Sequence, residues 1–255
     1  MMKMVLQSEV MTYQPNSDIE EILMNLPEIQ AGRGLWQNRH HQHDVYGHSC
    51  AVVIAIKELL RRESDLNRKR TLIAGACLHD IAKPKTAKEE LRDGEPIRYD
   101  PDHQERTIHR FIGHEQEGKK LVQSLDSQIF LSLDVDQETV ADLVGAHYDP
   151  MTGIKLMRLE TNPMSFVNTY IILEVALRSH QAPVRDILEL FYADRIGQGE
   201  ACKDQLEILS VRDFLLGQST LQLSSIYANM QRVYHERDPS TLECVAVDQI
   251  FRQKK

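Results

Sequence analysis

The segment from Lys69 to Ala82 constrains the fold more than any other: Leu72 to Leu78 is apolar apart from Gly75 and Cys77, and His79-Asp80 follows at once. Such a run reads as a central, buried helix ended by Pro84, whose ring removes a backbone donor and clashes with the preceding turn. An imidazole and a carboxylate closing a buried helix need a partner, because an unpaired buried charge costs several kcal/mol. A metal ion meets that need. Adjacent helical side chains point about 100° apart, so both reach one ion only where the helix ends and the space widens.

The rest of the chain repeats the helical theme. Apolar residues recur at spacings of three and four, glycine (12) and proline (9) are sparse, and no internal repeat is present. Ser17 and Glu20 resemble a capping box for a short helix through Leu26, closed by Pro27. From Asp44 to about Glu63, His48, Val52, Ile56 and Leu59 share one face, which turns a histidine inward with an apolar stripe. Further helices are expected at about Glu115–Leu125, Asp136–His147, Met164–Ser179 and Val184–Ile196. Segments 203–216 and 219–236 form a C-terminal helical appendage. Residues 85–112 are polar and carry Asp93-Gly94, so a long loop or small hairpin such as Glu89–Tyr99 is expected. The fold class is all-α: one domain spanning 1–255, with a core at about 40–200 and C-terminal helices at about 201–255.

Composition narrows the partners. A formal net charge of -8 over 255 residues argues against a broad nucleic-acid footprint and favours small substrates. The one basic cluster, Lys57, Arg61, Arg62, Arg68, Lys69 and Arg70, spans a helix end and the next helix start, and reads first as a solvated helix end. No run approaches the ~18 apolar residues of a membrane span, and Met1–Val10 lacks the pattern of a signal peptide, so a cytoplasmic location is expected. The four cysteines, Cys50, Cys77, Cys202 and Cys244, form no C-x-x-C pair and read as reduced and structural.

Eleven histidines are many for this length. His48 supplies a third ligand beside His79 and Asp80, one helix earlier. Asp194, surrounded by Leu190, Phe191, Ala193 and Ile196, is the best fourth. Taken singly, His48 also reads as a hydrogen-bonded core histidine and Asp194 as half of a salt bridge. Asp44, in the other His-Asp pair, reads as a helix cap. Two imidazoles and two carboxylates suit manganese, iron, cobalt, nickel or zinc, with magnesium less favoured by the nitrogen ligands. His40, His41 and His43 read as loop residues near the mouth, and His103, His109, His180 and His235 as surface.

The order His48, His79-Asp80, Asp194 resembles the H...HD...D signature of the HD superfamily of metal-dependent phosphohydrolases. The stretches HDVYGHS (43–49), ACLHDIAKPKT (76–86), FIGHEQEGKKL (111–121) and YADRIGQG (192–199) resemble, in order, the HD domain of bacterial CCA-adding tRNA nucleotidyltransferases. The resemblance implies a helical bundle in which a metal-activated water attacks phosphorus in nucleotides or related esters. Asp80 and Lys83 are then the catalytic candidates. Lys83, on the face of His79 and Asp80, would meet a phosphate oxygen, as would Arg195, although each also reads as a surface or helix-end cation. His114 and His147 fall where the cyclic-nucleotide and HD-GYP phosphodiesterases add histidines for a second metal; each also reads as a helix cap or substrate contact. The nucleotidyltransferase part is missing, and no GYP triplet follows.

Two other readings stand beside the hydrolase: a metal- and nucleotide-binding regulatory protein with weak turnover, and an RNA-associated accessory protein.

Overall fold

The computed structural model describes residues 18–38, 41–99, 106–199, 205–217, 222–237 and 244–255. Helices dominate: α1 (Asp18–Leu23), α2 (Pro27–Gln30), α3 (Val45–Leu59), α4 (Leu66–Leu78), α5 (Lys83–Thr86), α6 (His114–Ser124), α7 (Ser127–Ser132), α8 (Gln137–Ala146), α9 (Asp149–Leu159), α10 (Pro163–Arg178), α11 (Val184–Gly197), α12 (Gln205–Leu215), α13 (Leu223–His235) and α14 (Cys244–Lys254). The all-α class expected from periodicity is the class observed. The caps are local and chemical. Asp44, Asp65 and Asp136 each accept a backbone N–H from the first turn of α3, α4 and α8, at 2.7, 3.0 and 2.7 Å.

Helix α4 is the axis of the bundle and packs against α1, α3, α8 and α11. Leu72 to Leu78 are all buried, as a helix apolar on every side must be. The helix stops earlier than the sequence suggested. It ends at Leu78, and tight i→i−3 bonds from Ile81 to Leu78 and from Lys83 to Asp80 carry the chain round to α5. Pro84 therefore opens a new turn, where its missing N–H costs nothing. Pro27 likewise starts α2 rather than closing α1, and Ser17 lies outside the described residues.

Helices α7 and α9 were not anticipated, while α14 falls within the C-terminal helices expected at about 201–255. The first two are opened by Asp126 and by Asp149-Pro150, which read locally as turn residues. Buried apolar side chains form one cluster running from Ile19 to Val247. On the C-terminal side Tyr170 of α10 meets Phe214 of α12 and Phe251 of α14, each at 5.4 Å between ring centres.

Strand structure is confined, among the described residues, to one small antiparallel arm. Strands β1 (Lys88–Glu89), β2 (Leu91–Arg92), β3 (Glu95–Pro96), β4 (Arg98–Tyr99), β5 (Arg106–Thr107) and β6 (His109–Arg110) pair as β1–β6, β2–β3 and β4–β5. Asp93 and Gly94 turn the hairpin with positive φ of 55° and 88°, the backbone a two-residue connection demands. The hairpin was expected; the return segment 106–110, which pairs with both of its limbs, was not. Among the described residues no helix is long and apolar enough to cross a membrane.

Candidate metal centre

Two glycines set the distances that build the site. A Cβ on Gly197 of α11 would lie 3.0 Å from the Val52 backbone nitrogen of α3, and one on Gly118 of α6 would lie 2.8 Å from Val144 of α8. Only glycine permits those approaches, which bring Asp194 beside His48 and His114 beside His147. His79 and Asp80 follow the end of α4, His147 follows α8, and His114 opens α6. Four polar groups thus meet at helix ends, where the bundle opens.

Asp80 lies at the centre and faces both ways. Its Oδ2 is 3.2 Å from His79 Nε2 and 3.5 Å from His48 Nε2, while Oδ1 is 3.3 Å from His114 Nε2 and 4.0 Å from His147 Nε2. Asp194 Oδ1 is 2.8 Å from His48 Nε2 and 3.8 Å from His79 Nε2. The groups His48, His79, Asp80 and Asp80, His114, His147 each place their ligand atoms within 4.8 Å of one another, a spacing that could hold a metal ion. The Lys83 ammonium lies against Asp80 Oδ2 at 2.6 Å. Even so, both Asp80 oxygens are buried without a properly angled hydrogen bond.

The protonation pattern explains why a cation fits. His79, His114 and His147 each place Nδ1 on the carbonyl three residues earlier, at 2.9 Å to Ala76, 2.7 Å to Phe111 and 2.7 Å to Val144. A carbonyl only accepts, so Nδ1 carries the hydrogen and Nε2 turns a lone pair toward Asp80. Lone pairs facing a buried carboxylate repel unless something positive lies between them. Without an ion, positive charge comes from the protein itself: burial pushes the Asp80 carboxyl up, but His79 and Lys83 outweigh it and hold it well below its ordinary range. Burial likewise raises Asp194, and the His48 hydrogen bond and charge overturn that. Burial lowers His79, yet Asp80 and Asp194 lift it above its ordinary value. His147 is pushed down to about 3, chiefly by burial and then by His114 and His79, so it stays neutral as a ligand must.

A family model described as HD domain matches residues 45–192. This chain belongs to the HD domain family. HD domains are generally metal-dependent hydrolases of a phosphohydrolase superfamily, and the donor set at Asp80 is of the kind that binds a divalent cation. No match was found among curated proteins or among solved structures.

The HD domain centre opens into a cavity of about 490 Å³, a size suited to a small ligand. All eight residues singled out from sequence gather there: His48 and His79 lie beneath it, and Asp80, Lys83, His114, His147, Asp194 and Arg195 line it. The basic cluster is partly absorbed into the fold, since Lys57 pairs with Glu20, Arg68 with Glu63 and Asp186, and Arg70 with the Leu133 carbonyl.

Other residues of the wall were missed or only loosely placed by sequence reasoning. His109, read as surface, lines the cavity and sets Nδ1 on the Trp36 carbonyl at 3.1 Å. His41 stacks edge-on against His48 at 5.0 Å between ring centres, and burial, with His48 and Lys83, drives its imidazole well below the ordinary value. Gln37, buried, accepts a hydrogen bond from Lys83 at 2.6 Å. The only signal for Gln37 was its place just before Asp44 and its helix, whereas His41 lies on the cavity as a loop residue near the mouth, as expected; His40 and His103 lie outside the described residues.

Proposed function

We propose that this chain is a phosphohydrolase that uses two divalent ions to cleave phosphate esters of nucleotides or similar small molecules. One observation carries it: Asp80 turns one oxygen to His48 and His79 and the other to His114 and His147, as a carboxylate bridging two ions would. His48, His79, Asp80 and Asp194 would hold the first ion, and Asp80, His114 and His147 the second. When bound, such ions supply Lewis acidity and a water of lowered pKa, and suit manganese, iron, cobalt, nickel or zinc better than magnesium.

The chain's own residues do the remaining work. Asp80 fixes the spacing between the two halves, and the carbonyls of Ala76, Phe111 and Val144 fix the imidazole rings. Lys83, fastened by Asp80 and Gln37, places a positive charge at the inner wall, where it would oppose a phosphate oxygen. Arg195 adds a second cation to the wall. Tyr148, whose hydroxyl accepts from the Lys155 ammonium at 2.7 Å, also lines the cavity and brings an aromatic ring suited to a base or other flat group.

The motif stretches that resemble those of CCA-adding nucleotidyltransferases favour a nucleotide-like substrate. The test is a panel of phosphomonoesters, 2',3'-cyclic nucleotides and dinucleotides, each with manganese, nickel, cobalt and magnesium. Metal-dependent turnover of one class identifies the ester, and none anywhere overturns the hydrolase in favour of a binding protein.

A further inference from the structure

Gln37 is the least expected residue of the cavity, and three facts set it apart. Its backbone is held on both sides. Trp36 bridges to Asp44, accepts the His109 backbone N–H at 3.1 Å and carries the Arg106 guanidinium 3.6 Å over its ring. Asn38 accepts the His41 backbone N–H at 3.0 Å and meets the His41 ring nitrogen at 3.0 Å. Its side chain is 4% exposed, so the amide is set in one place.

Second, its orientation follows from its neighbour. The Lys83 ammonium only donates, so the Gln37 atom 2.6 Å from it must be the carbonyl oxygen Oε1. Nε2 is thereby the donor. Third, that Nε2 is buried in the cavity wall with no partner. A buried donor without an acceptor is uncommon and is explained when a ligand supplies the acceptor. Lys83 also has capacity to spare: of its three N–H bonds, Gln37 takes one and the Asp80 ion pair engages at most one more.

We infer that Gln37 is a substrate-binding residue, its Nε2 donating to a nonbridging phosphate oxygen beside the free Lys83 N–H. Gln37 and Lys83 form a neutral and a charged donor, locked together by their own hydrogen bond, that read the tetrahedral oxyanion and leave the rest of the substrate to the rest of the wall. This rests on the phosphohydrolase reading for its ligand class, but its test does not need turnover. The pair also links the β arm to the phosphate, because the carbonyl that holds His109 of β6 belongs to Trp36, the residue before Gln37.

The experiment titrates inorganic phosphate into the manganese-loaded full chain by calorimetry, for wild type, Gln37→Leu and Gln37→Glu. Gln37→Leu keeps the volume and removes both amide groups; Gln37→Glu keeps an acceptor for Lys83 and turns the donor into a second acceptor. Both should bind phosphate about tenfold more weakly or worse, with metal content and helical signal unchanged. For any ester the wild type cleaves, KM should rise with the phosphate dissociation constant while kcat falls less. Phosphate affinity within twofold of wild type in whichever variant folds overturns the inference, as does a wild type that binds no phosphate. Weakened phosphate binding in a protein that cleaves no ester would uphold Gln37 and sink the hydrolase reading; cleavage with unchanged phosphate affinity would do the reverse.

Discussion

Helix α11 carries two buried acids, Asp186 and Asp194, that sit in similar apolar company and serve opposite ends. Asp186 accepts from Arg68 Nε at 2.6 Å, a cation supplied by the protein itself. Asp194 faces the imidazoles of His48 and His79. Asp142 on α8 repeats the first pattern: it takes the Lys119 ammonium at 2.7 Å, the Ala182 N–H at 2.9 Å and the His180 ring at 3.4 Å. Burial alone therefore does not mark a functional acid. The set of partners does: Asp142 and Asp186 are met by donors of the protein, whereas Asp80, although the Lys83 ammonium lies 2.6 Å from Oδ2, has imidazole Nε2 atoms facing both oxygens and neither oxygen satisfied.

The largest expected effect separates the two kinds at once. Asp80→Ala should bring metal content, measured by plasma mass spectrometry, to background and abolish any turnover, while helical content stays. Asp186→Asn should keep its metal. Loss of metal in Asp186→Asn would erase the distinction.

The next effect runs the other way. Asp142→Ala strands the Lys119 cation and the Ala182 N–H, and breaking a buried ion pair typically costs about 3–5 kcal/mol; Lys119 is partly exposed, which places the expected loss near about 2 kcal/mol after screening. Urea unfolding should show it with metal content unchanged. A stability equal to wild type would mean that the satisfied cluster contributes nothing.

Metal addition sharpens the contrast from the ligand side. At a free manganese concentration of about 100 times Kd, the wild type should gain about 2.7 kcal/mol of unfolding free energy for each ion bound, since the ions bind only the folded chain. Asp80→Ala should gain nothing, and Asp142→Ala should gain as much as wild type. Equal gains in wild type and Asp80→Ala would place the ion elsewhere.

Much of the site was legible because its signals were local. His79-Asp80 at the end of an apolar helix announces a buried pair in need of a cation, and His48 shares a face with Val52 and Ile56. Asp194 was readable by the same logic, yet that logic applied equally to Asp142, flanked by Val140, Ala141, Leu143 and Val144, and to Asp186 beside Ile187 and Leu188. Which acid meets a donor depends on residues 118 and 23 positions away, Arg68 and Lys119. Spacing along one helix carries no such information. Gln37 was hidden for a related reason: a loop has no period, and its place is set by partners distant in sequence, Lys83 on its side chain and His109 on the carbonyl of the residue before it. The close approaches at Gly118 and Gly197 likewise appear in sequence only as glycines inside helices.

The smallest effect is a pH dependence that tests whether Asp142 is held ionised by its partners. Burial raises the Asp142 carboxyl, but the Ala182 N–H and Lys119 outweigh it, so its folded pKa lies below the ordinary value of 3.8. A depressed carboxyl contributes stability that is fully present above its unfolded pKa and is lost as pH falls through the folded one. Asp142→Asn lacks that contribution at every pH. The gap in urea midpoint between wild type and Asp142→Asn should therefore be open at about pH 5 and close below about pH 4. Asp80 and Asp194 also weaken in acid, but they do so equally in both proteins and cancel in the difference. A gap that persists unchanged to about pH 2 would show that shape rather than charge holds Asp142, and the satisfied acid would no longer stand as the electrostatic counterpart of Asp80.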